Sequence, residues 1–489
     1  MNSVYNRIEK FYKSNYIVFN KLEIEFERKY NIPKKIIKDT VKRILTETVD
    51  NGAKNHLLSY NAFISFIIYY VTMGYFILLS FLGKRKLYEE KKYDVLLEDW
   101  TLNGFSEFYK RIYDALAHYK IDIFINAKVY HEQYYPQECD LVIEKSVHNH
   151  YYSSAQSQEI IYKDFTRFVF YHKLSKESKI NIVNIALRLL RYISVYKTDT
   201  LNFKTKFLIS AGDNYYNALR YYIYKENGIE SIILIQNGYR AGSISNNGGD
   251  MYTYCDYYLG FGYKNIEIQE GMECNNKLAI GSLRLYDRVH KLNIKKEIKW
   301  DIVFIEQLAL IKTASFNVDT YIQTVNLLCQ FAKKYPQFKI NYRVRPKRME
   351  HYAINKPMKS HIEDIDAKLK SVNIIIDEKI SENSYEAILL SKVVVFFTST
   401  MGIEALGLNK KVLNCNLDKQ EFCLSINNEV GVLVENSYEL FEEKLLYLLN
   451  NDNDKMKEYF LEKKFQYMNL DGDPINEIVK IIEEKIKND

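Results

Sequence analysis

Residues 391–414 read SKVVVFFTSTMGIEALGLNKKVLN. Val393 to Phe397 make a short unbroken apolar run rich in β-branched residues, the pattern of a parallel strand covered on both faces. Thr398-Ser399-Thr400 follows, then the helical spacing of Met401, Ile403, Ala405 and Leu406 up to Gly407, then a second apolar piece at Lys411-Val412-Leu413. The stretch predicts strand, hydroxyl-rich turn, helix, strand. Such a unit implies an open parallel sheet, whose ligand crevice lies at the carboxyl ends of its strands. A Ser or Thr at the helix start accepts bonds from the orphan amides there, and the same amides with the positive end of the dipole attract an anion such as phosphate. Ser399, Thr400 and Gly402 are therefore candidates for an anion-binding turn. Glu404, about one helical turn further on, is a candidate partner for a hydroxyl of the same ligand. A plain helix cap accounts for the hydroxyls equally well, so the rest of the chain must decide.

Working outward, 489 residues are too many for one ordinary domain and imply two or three. With 47% hydrophobic and 27% charged residues the chain has a globular, not a disordered, composition. The 43 Tyr and 26 Phe beside 6 Pro give many aromatic packing units and few breakers. A net charge of +6 is mild for this length and excludes a nucleic-acid binder's profile, while anionic membrane surfaces and phosphorylated substrates stay open. Cys139, Cys255, Cys274, Cys329, Cys415 and Cys423 form no CxxC pair and have no His partner at zinc spacing, which implies reduced thiols in a cytoplasmic protein. His148-Asn149-His150 lacks a spaced third ligand, so no metal is expected. The amino terminus is charged throughout and reads as no signal peptide.

Residues 1–92 are expected as a helical segment, basic around Lys34, Lys35, Lys38, Lys42 and Arg43. Within it lies the uncharged stretch 57–83, LLSYNAFISFIIYYVTMGYFILLSFLG, followed by Lys84-Arg85-Lys86. Its length matches a bilayer crossing, but Ser59, Asn61, Ser65, Thr72 and Ser80 interrupt it and both flanks are basic. The expectation is a helix or helical hairpin, buried in the protein or lying in a membrane interface, with 57–86 meeting anionic headgroups. From Tyr93 short strands alternate with helices, the signal for a parallel sheet. Asp94 to Leu97 reads as a strand ending in Glu98-Asp99, and Phe207 to Ile209 as one ending in Gly212-Asp213-Asn214. Ser231 to Ile235 ends in Asn237-Gly238-Tyr239-Arg240, and Leu278 to Gly281 leads to Ser282. Residues 287–300 are charged and read as an unstructured linker. Beyond it, a strand at 338–342 runs into Arg343-Val-Arg345-Pro-Lys347-Arg348, four cations in six residues, which favours an anion.

Two successive α/β units, 93–290 and 300–489, each with polar groups at its strand ends, leave a cleft between them. At this point the chain resembles the GT-B glycosyltransferases, which are built from two Rossmann-like domains, and more narrowly the bacterial transferases of surface-carbohydrate biosynthesis. The resemblance covers about 93–485 and rests on the 391–414 turn, on Ile280-Gly281-Ser282, on Arg345-Pro346 and on Asp471-Gly472. It implies two Rossmann-like lobes facing a central cleft behind a helical, partly hydrophobic amino-terminal segment. A nucleotide sugar would sit on the second lobe, with phosphate at Ser399, Thr400 and Gly402 and ribose on Glu404. Arg343, Arg345 and Lys347 would offset charge on the leaving phosphate without a metal or other cofactor. A glycan or lipid-linked acceptor would enter from the first lobe, where Asp99, Glu98 or Asp213 would take its proton and Asn214, Asn237, Gly238, Arg240 and Ser282 would line the cleft. Relatives often carry His-Gly where this chain has Asn237-Gly238, so no histidine-based role is expected there. The implied place of work is the inner face of the cell membrane, with no nucleic-acid partner. A non-hydrolysing sugar-nucleotide 2-epimerase and a non-catalytic scaffold of a polysaccharide assembly complex are the alternatives.

Overall fold

The computed structural model describes residues 4–50, 61–82, 91–99, 109–125, 142–143, 164, 167–200, 203–211, 218–236, 238, 253–267, 272–290, 292, 297–307, 318–344, 356–377, 384–419 and 424–487. Among the described residues four helices come first: α1 (Val4–Ser14), α2 (Tyr16–Tyr30), α3 (Lys34–Asp50) and α4 (Ala62–Leu82). The first sheet contains β1 (Lys91–Asp99), β2 (Ile121–Ile125), β3 (Val142–Ile143), β4 (Phe203–Ser210), β5 (Ile229–Ile235), β6 (Thr253–Gly260) and β7 (Met272–Ala279). Helices α5 (Lys110–Ala115), α6 (Phe168–Ser178), α7 (Ile182–Asp199), α8 (Ala218–Glu226) and α9 (Tyr263–Glu267) are threaded between its strands. Helix α10 (Leu283–His290) leads to the second sheet of β8 (Trp300–Ile305), β9 (Ile340–Arg343), β10 (Ile375–Asp377), β11 (Ser391–Phe396), β12 (Lys411–Cys415) and β13 (Val432–Leu433). Its helices are α11 (Val318–Lys334), α12 (Lys356–Ser371), α13 (Ser384–Leu389), α14 (Thr400–Gly407), α15 (Tyr438–Asn450), α16 (Asp454–Tyr467) and α17 (Pro474–Ile486).

Among the described residues the sheets run β3-β2-β1-β4-β5-β6-β7 and β10-β9-β8-β11-β12-β13, and every pairing is parallel. Each order reverses once, between β1 and β4 and between β8 and β11. In open α/β sheets the crevice beyond such a reversal is where ligands bind. The expected strand at 393–397 is β11, seated mid-sheet between β8 and β12.

Side-chain parity builds the first core. Val95, Leu97, Phe207, Ile209, Ile233 and Ile235 face one layer, and Leu96, Leu208, Ile232 and Leu234 face the other, with Tyr221 and Tyr224 of α8. The first layer is completed by Ile475, Ile478, Ile481 and Ile482 of α17. This corrects the 300–489 boundary, because the last helix leaves the second lobe and packs on the first sheet. Its path is held by Asn469, whose amide donates to the Phe261 carbonyl at 2.7 Å and whose Nδ2 donates to the Ala279 carbonyl at 2.8 Å. Gly281 meets this crossing at φ +80°, and a Cβ there would lie 2.7 Å from the Asn469 carbonyl oxygen. Arg111 of α5 pairs with Asp287 of α10 at 2.5 Å and with Asp473, the cap of α17. Asp287 to His290 are thus helical, which corrects the linker reading; Leu283 and Leu285 bury one side of α10.

The amino-terminal helices share a core with α6 and α7. The segment expected around 57–83 is helical over Ala62–Leu82, as α4, with Tyr69 and Met73 in that core. Among the described residues no helix is long and apolar enough to cross a membrane. Among the described residues Cys255, Cys274, Cys329 and Cys415 form no disulfide; Cys139 and Cys423 lie outside the described residues.

Candidate functional site

Strand β11 is wholly apolar from Val393 to Val395 and delivers the chain to the second reversal. Ser399 then adopts an extended backbone (φ −91°, ψ 133°), and its Oγ accepts from the Met401 amide at 3.3 Å. It is a helix cap, and Thr400 beside it is half-buried at the first helical position. Gly402 serves packing: a Cβ there would fall 2.1 Å from the Phe396 ring, so only glycine lets α14 lie this close to β11. Asn414 ties the next strand end in place, donating to the Phe397 carbonyl at 2.7 Å and accepting from the Leu424 amide at 3.1 Å.

Glu404 is 4% exposed and points into the protein. It accepts from the Tyr385 hydroxyl of α13 at 2.7 Å, and Arg284 and Arg288 of α10 act on it. Burial raises its pKa above the ordinary carboxylate value against the opposing pull of Tyr385 and the two arginines. Burial, then the Glu404 charge, pushes the Tyr385 phenol upward as well. The Arg288 guanidinium lies 5.9 Å from the centre of the Tyr385 ring, and the Arg284 Nε is buried without a hydrogen-bond partner among the described residues. Arg284, Arg288 and Tyr385 escape the sequence reading. The signal for the arginines was present, a four-residue spacing beside Leu283 and Leu285 that marks one helical face. Across the reversal, Glu306 follows β8; it is 3% exposed and takes the Tyr342 hydroxyl at 3.3 Å.

Arg343 requires correction. It is buried, pairs with Asp377 at 2.9 Å and donates from Nε to Ser384 at 3.2 Å, so its charge joins the ends of β9 and β10 to the start of α13. Arg345 and Lys347 lie outside the described residues.

At the first reversal Glu98 also departs from expectation. Its carboxylate is fully buried, with Oε1 2.5 Å from Arg220 and Oε2 receiving the Tyr221 hydroxyl at 3.0 Å. Even parity on β1 turns it into the α8 layer, where it serves as a structural ion pair, not as a proton acceptor for a substrate. The Tyr109 hydroxyl donates to the Glu98 carbonyl and accepts from the Ala211 amide at 2.7 Å, bridging the ends of β1 and β4. Asp99 closes β1, paired in register with Ile125; its side chain is outside the described residues, as are Asp213, Asn214, Asn237 and Arg240. Gly238 accepts from Gln236 Nε2 at 2.9 Å. Ser282 is 2% exposed and caps α10 by accepting from the Leu285 amide at 3.2 Å, which corrects its assignment to the cleft lining.

Two successive parallel sheets, each with one reversal of strand order, and a terminal helix that returns to the first sheet make this a two-domain α/β protein of the GT-B fold. No family model matches the chain, and no curated protein matches it significantly. Among solved structures it is similar to UDP-GlcNAc 2-epimerase of Methanocaldococcus jannaschii, solved with UDP-GlcNAc and UDP: 13% identity over 80% of this chain and 99% of that one, TM-score 0.43. It is similar too to the wall teichoic acid polymerase TagF (13% identity, 88% and 98% covered, TM-score 0.39). A putative UDP-N-acetylglucosamine 2-epimerase from Listeria monocytogenes gives 11% identity, 82% and 98% covered, and a TM-score of 0.46.

Proposed function

We propose that the protein is a metal-independent glycosyltransferase that moves a sugar from a nucleotide-activated donor to a glycan or lipid-linked acceptor at the inner face of the membrane. The observation that carries this reading is the second reversal. There a capped helix start presents half-buried Thr400, and one turn along lies a buried carboxylate on which two arginines of the inter-lobe helix act. The donor's phosphate takes the amides and hydroxyls at Ser399 and Thr400. Arg284 and Arg288, with Arg345 and Lys347, offset the charge that builds on the leaving phosphate. On donor binding, a ribose hydroxyl replaces the Tyr385 hydroxyl on Glu404.

The acceptor's hydroxyl loses its proton to a carboxylate of the first lobe. With Glu98 held by Arg220, the candidates are Asp99, at the end of β1, and Asp213, which follows β4 in sequence; β1 and β4 flank the first reversal. The exposed apolar face of α4 favours transfer to a membrane-bound acceptor over isomerisation of a free nucleotide sugar.

Thermal shift against CMP, UDP, GDP and CDP tests the donor half. A nucleotide at a hundred times its dissociation constant stabilises by about 2.7 kcal/mol, and no shift with any of the four overturns the reading. For the chemistry, Asp99→Asn is expected to cut turnover about a hundredfold with donor binding retained, and near-normal turnover moves the role to Asp213. Conversion of a nucleotide sugar with no acceptor present makes the protein an epimerase instead.

A further inference from the structure

Helix α4 is apolar on both sides, and the protein covers only one. No charged residue occurs from Phe63 to Gly74. Ser65, Tyr69 and Met73 recur every fourth residue and are buried against α6 and α7. The Tyr69 hydroxyl donates to the Asp164 carbonyl at 2.5 Å. The fully buried Asp164 carboxylate also holds Lys29 at 2.6 Å, Tyr171 at 2.9 Å and Tyr30 at 3.1 Å. This network fixes the rotation of α4 about its axis, so the outward face is set by the fold. That face consists of Phe63 (72% exposed), Ile64, Phe66, Ile67, Ile68 and Val71 (64% exposed).

A helix side in contact with water ordinarily carries charge, and contiguous apolar exposure on this scale marks an interaction surface. The neighbouring helix α6 extends it: Val169 is 73% exposed, and Lys173 and Lys176 are exposed one and two turns further along the same face. Charge identifies the occupant. Residues 1–92 contain 17 Lys and Arg against 9 Asp and Glu, a net +8, while the remainder of the chain carries −2. Two copies meeting through this segment would bring like charges together, whereas an anionic surface complements it.

We propose that the outward face of α4, with Val169, Lys173 and Lys176 of α6, docks on an anionic lipid bilayer. The apolar side chains enter the headgroup boundary and the lysines pair with headgroup phosphates. This deepens the membrane part of the reading above, on which it rests for its biological sense, but its test involves neither nucleotide nor transfer.

The full chain is sedimented with vesicles of mixed phosphatidylglycerol and phosphatidylcholine and with vesicles of phosphatidylcholine alone. The expected result is co-sedimentation with the anionic vesicles, about tenfold or more weaker with neutral ones, and weakened by salt. Placing charge at exposed positions, Phe66→Glu with Ile67→Glu lowers partitioning about tenfold or more, and Lys173→Gln with Lys176→Gln about tenfold. A milder variant, Phe63→Trp, reports insertion directly by a blue shift of its emission on anionic vesicles. Unchanged partitioning of the Glu variant, or no blue shift, overturns the inference. So does a dimer in light scattering that the Glu variant dissolves without any vesicle binding by the parent, since the face then belongs to a second copy. A protein that binds vesicles but no nucleotide overturns the transferase reading alone, and one that binds nucleotide but ignores vesicles overturns this inference alone.

Discussion

Glu98 and Glu404 stand in comparable places, each close to the carboxyl end of a strand flanking its sheet's reversal, each buried and each touched by a tyrosine hydroxyl. They differ in where their positive charge originates. Arg220 comes from α8 within the same lobe and lies 2.5 Å from Glu98, closing an ion pair inside one rigid layer. The arginines acting on Glu404 belong to α10, the element between the lobes, and burial outweighs their pull so that its pKa rises. A carboxylate paired within its own lobe is scaffold. One whose counter-charges sit on a separate element responds when a ligand or a shift of that element changes its surroundings.

The comparison breaks first on stability. Arg220→Ala leaves the Glu98 charge buried and uncompensated, with an expected cost of about 3–5 kcal/mol in urea unfolding. Glu404→Gln is expected to cost far less, or to stabilise, because burial already disfavours the ionised carboxyl there. Equal losses would erase the distinction. Next in size, Glu404→Ala is expected to weaken nucleotide affinity about tenfold to a hundredfold, the worth of a hydrogen bond to a charged group, measured by titration calorimetry. Unchanged affinity removes Glu404 from the site.

The pH dependence sharpens the same contrast. A carboxyl whose folded pKa is raised binds its proton more tightly folded than unfolded, so its stabilising contribution is complete below the ordinary value of 4.5 and is lost as pH rises through the folded value. Wild-type stability relative to Glu404→Gln should therefore fall with rising pH across that window, and a flat difference contradicts the raised pKa. The smallest test compares two caps. Ser282→Ala and Ser399→Ala should each cost about 1 kcal/mol, but only Ser399→Ala should also weaken nucleotide binding.

Much of the second lobe was legible because β11 and α14 are locally consistent: a short β-branched apolar run fits a covered strand, and Ser399 stands where the helix that begins at Thr400 takes its cap. The first sheet was legible wherever its strands are buried on both faces, as at Phe207–Ile209. β7, with the sequence MECNNKLA, was read only at its last residues, because an edge strand half in water has no reason to be apolar. Arg343 and Glu98 misled for a related reason. A charge at a strand's end looks the same in sequence whether it meets a ligand or a partner such as Asp377 or Arg220 from another element.

The local pattern of the chain alone determined that there are parallel sheets, where β11 ends and that a hydroxyl cap succeeds it, since such patterns depend on residues close together in sequence. Which charges are satisfied, which side of α4 is left bare, and that α17 returns to the first sheet were decided only in three dimensions. Those outcomes depend on contacts such as Tyr69 with Asp164 and Asn469 with Phe261, between residues far apart along the chain, whose free energy exists only once the lobes and helical layer have packed.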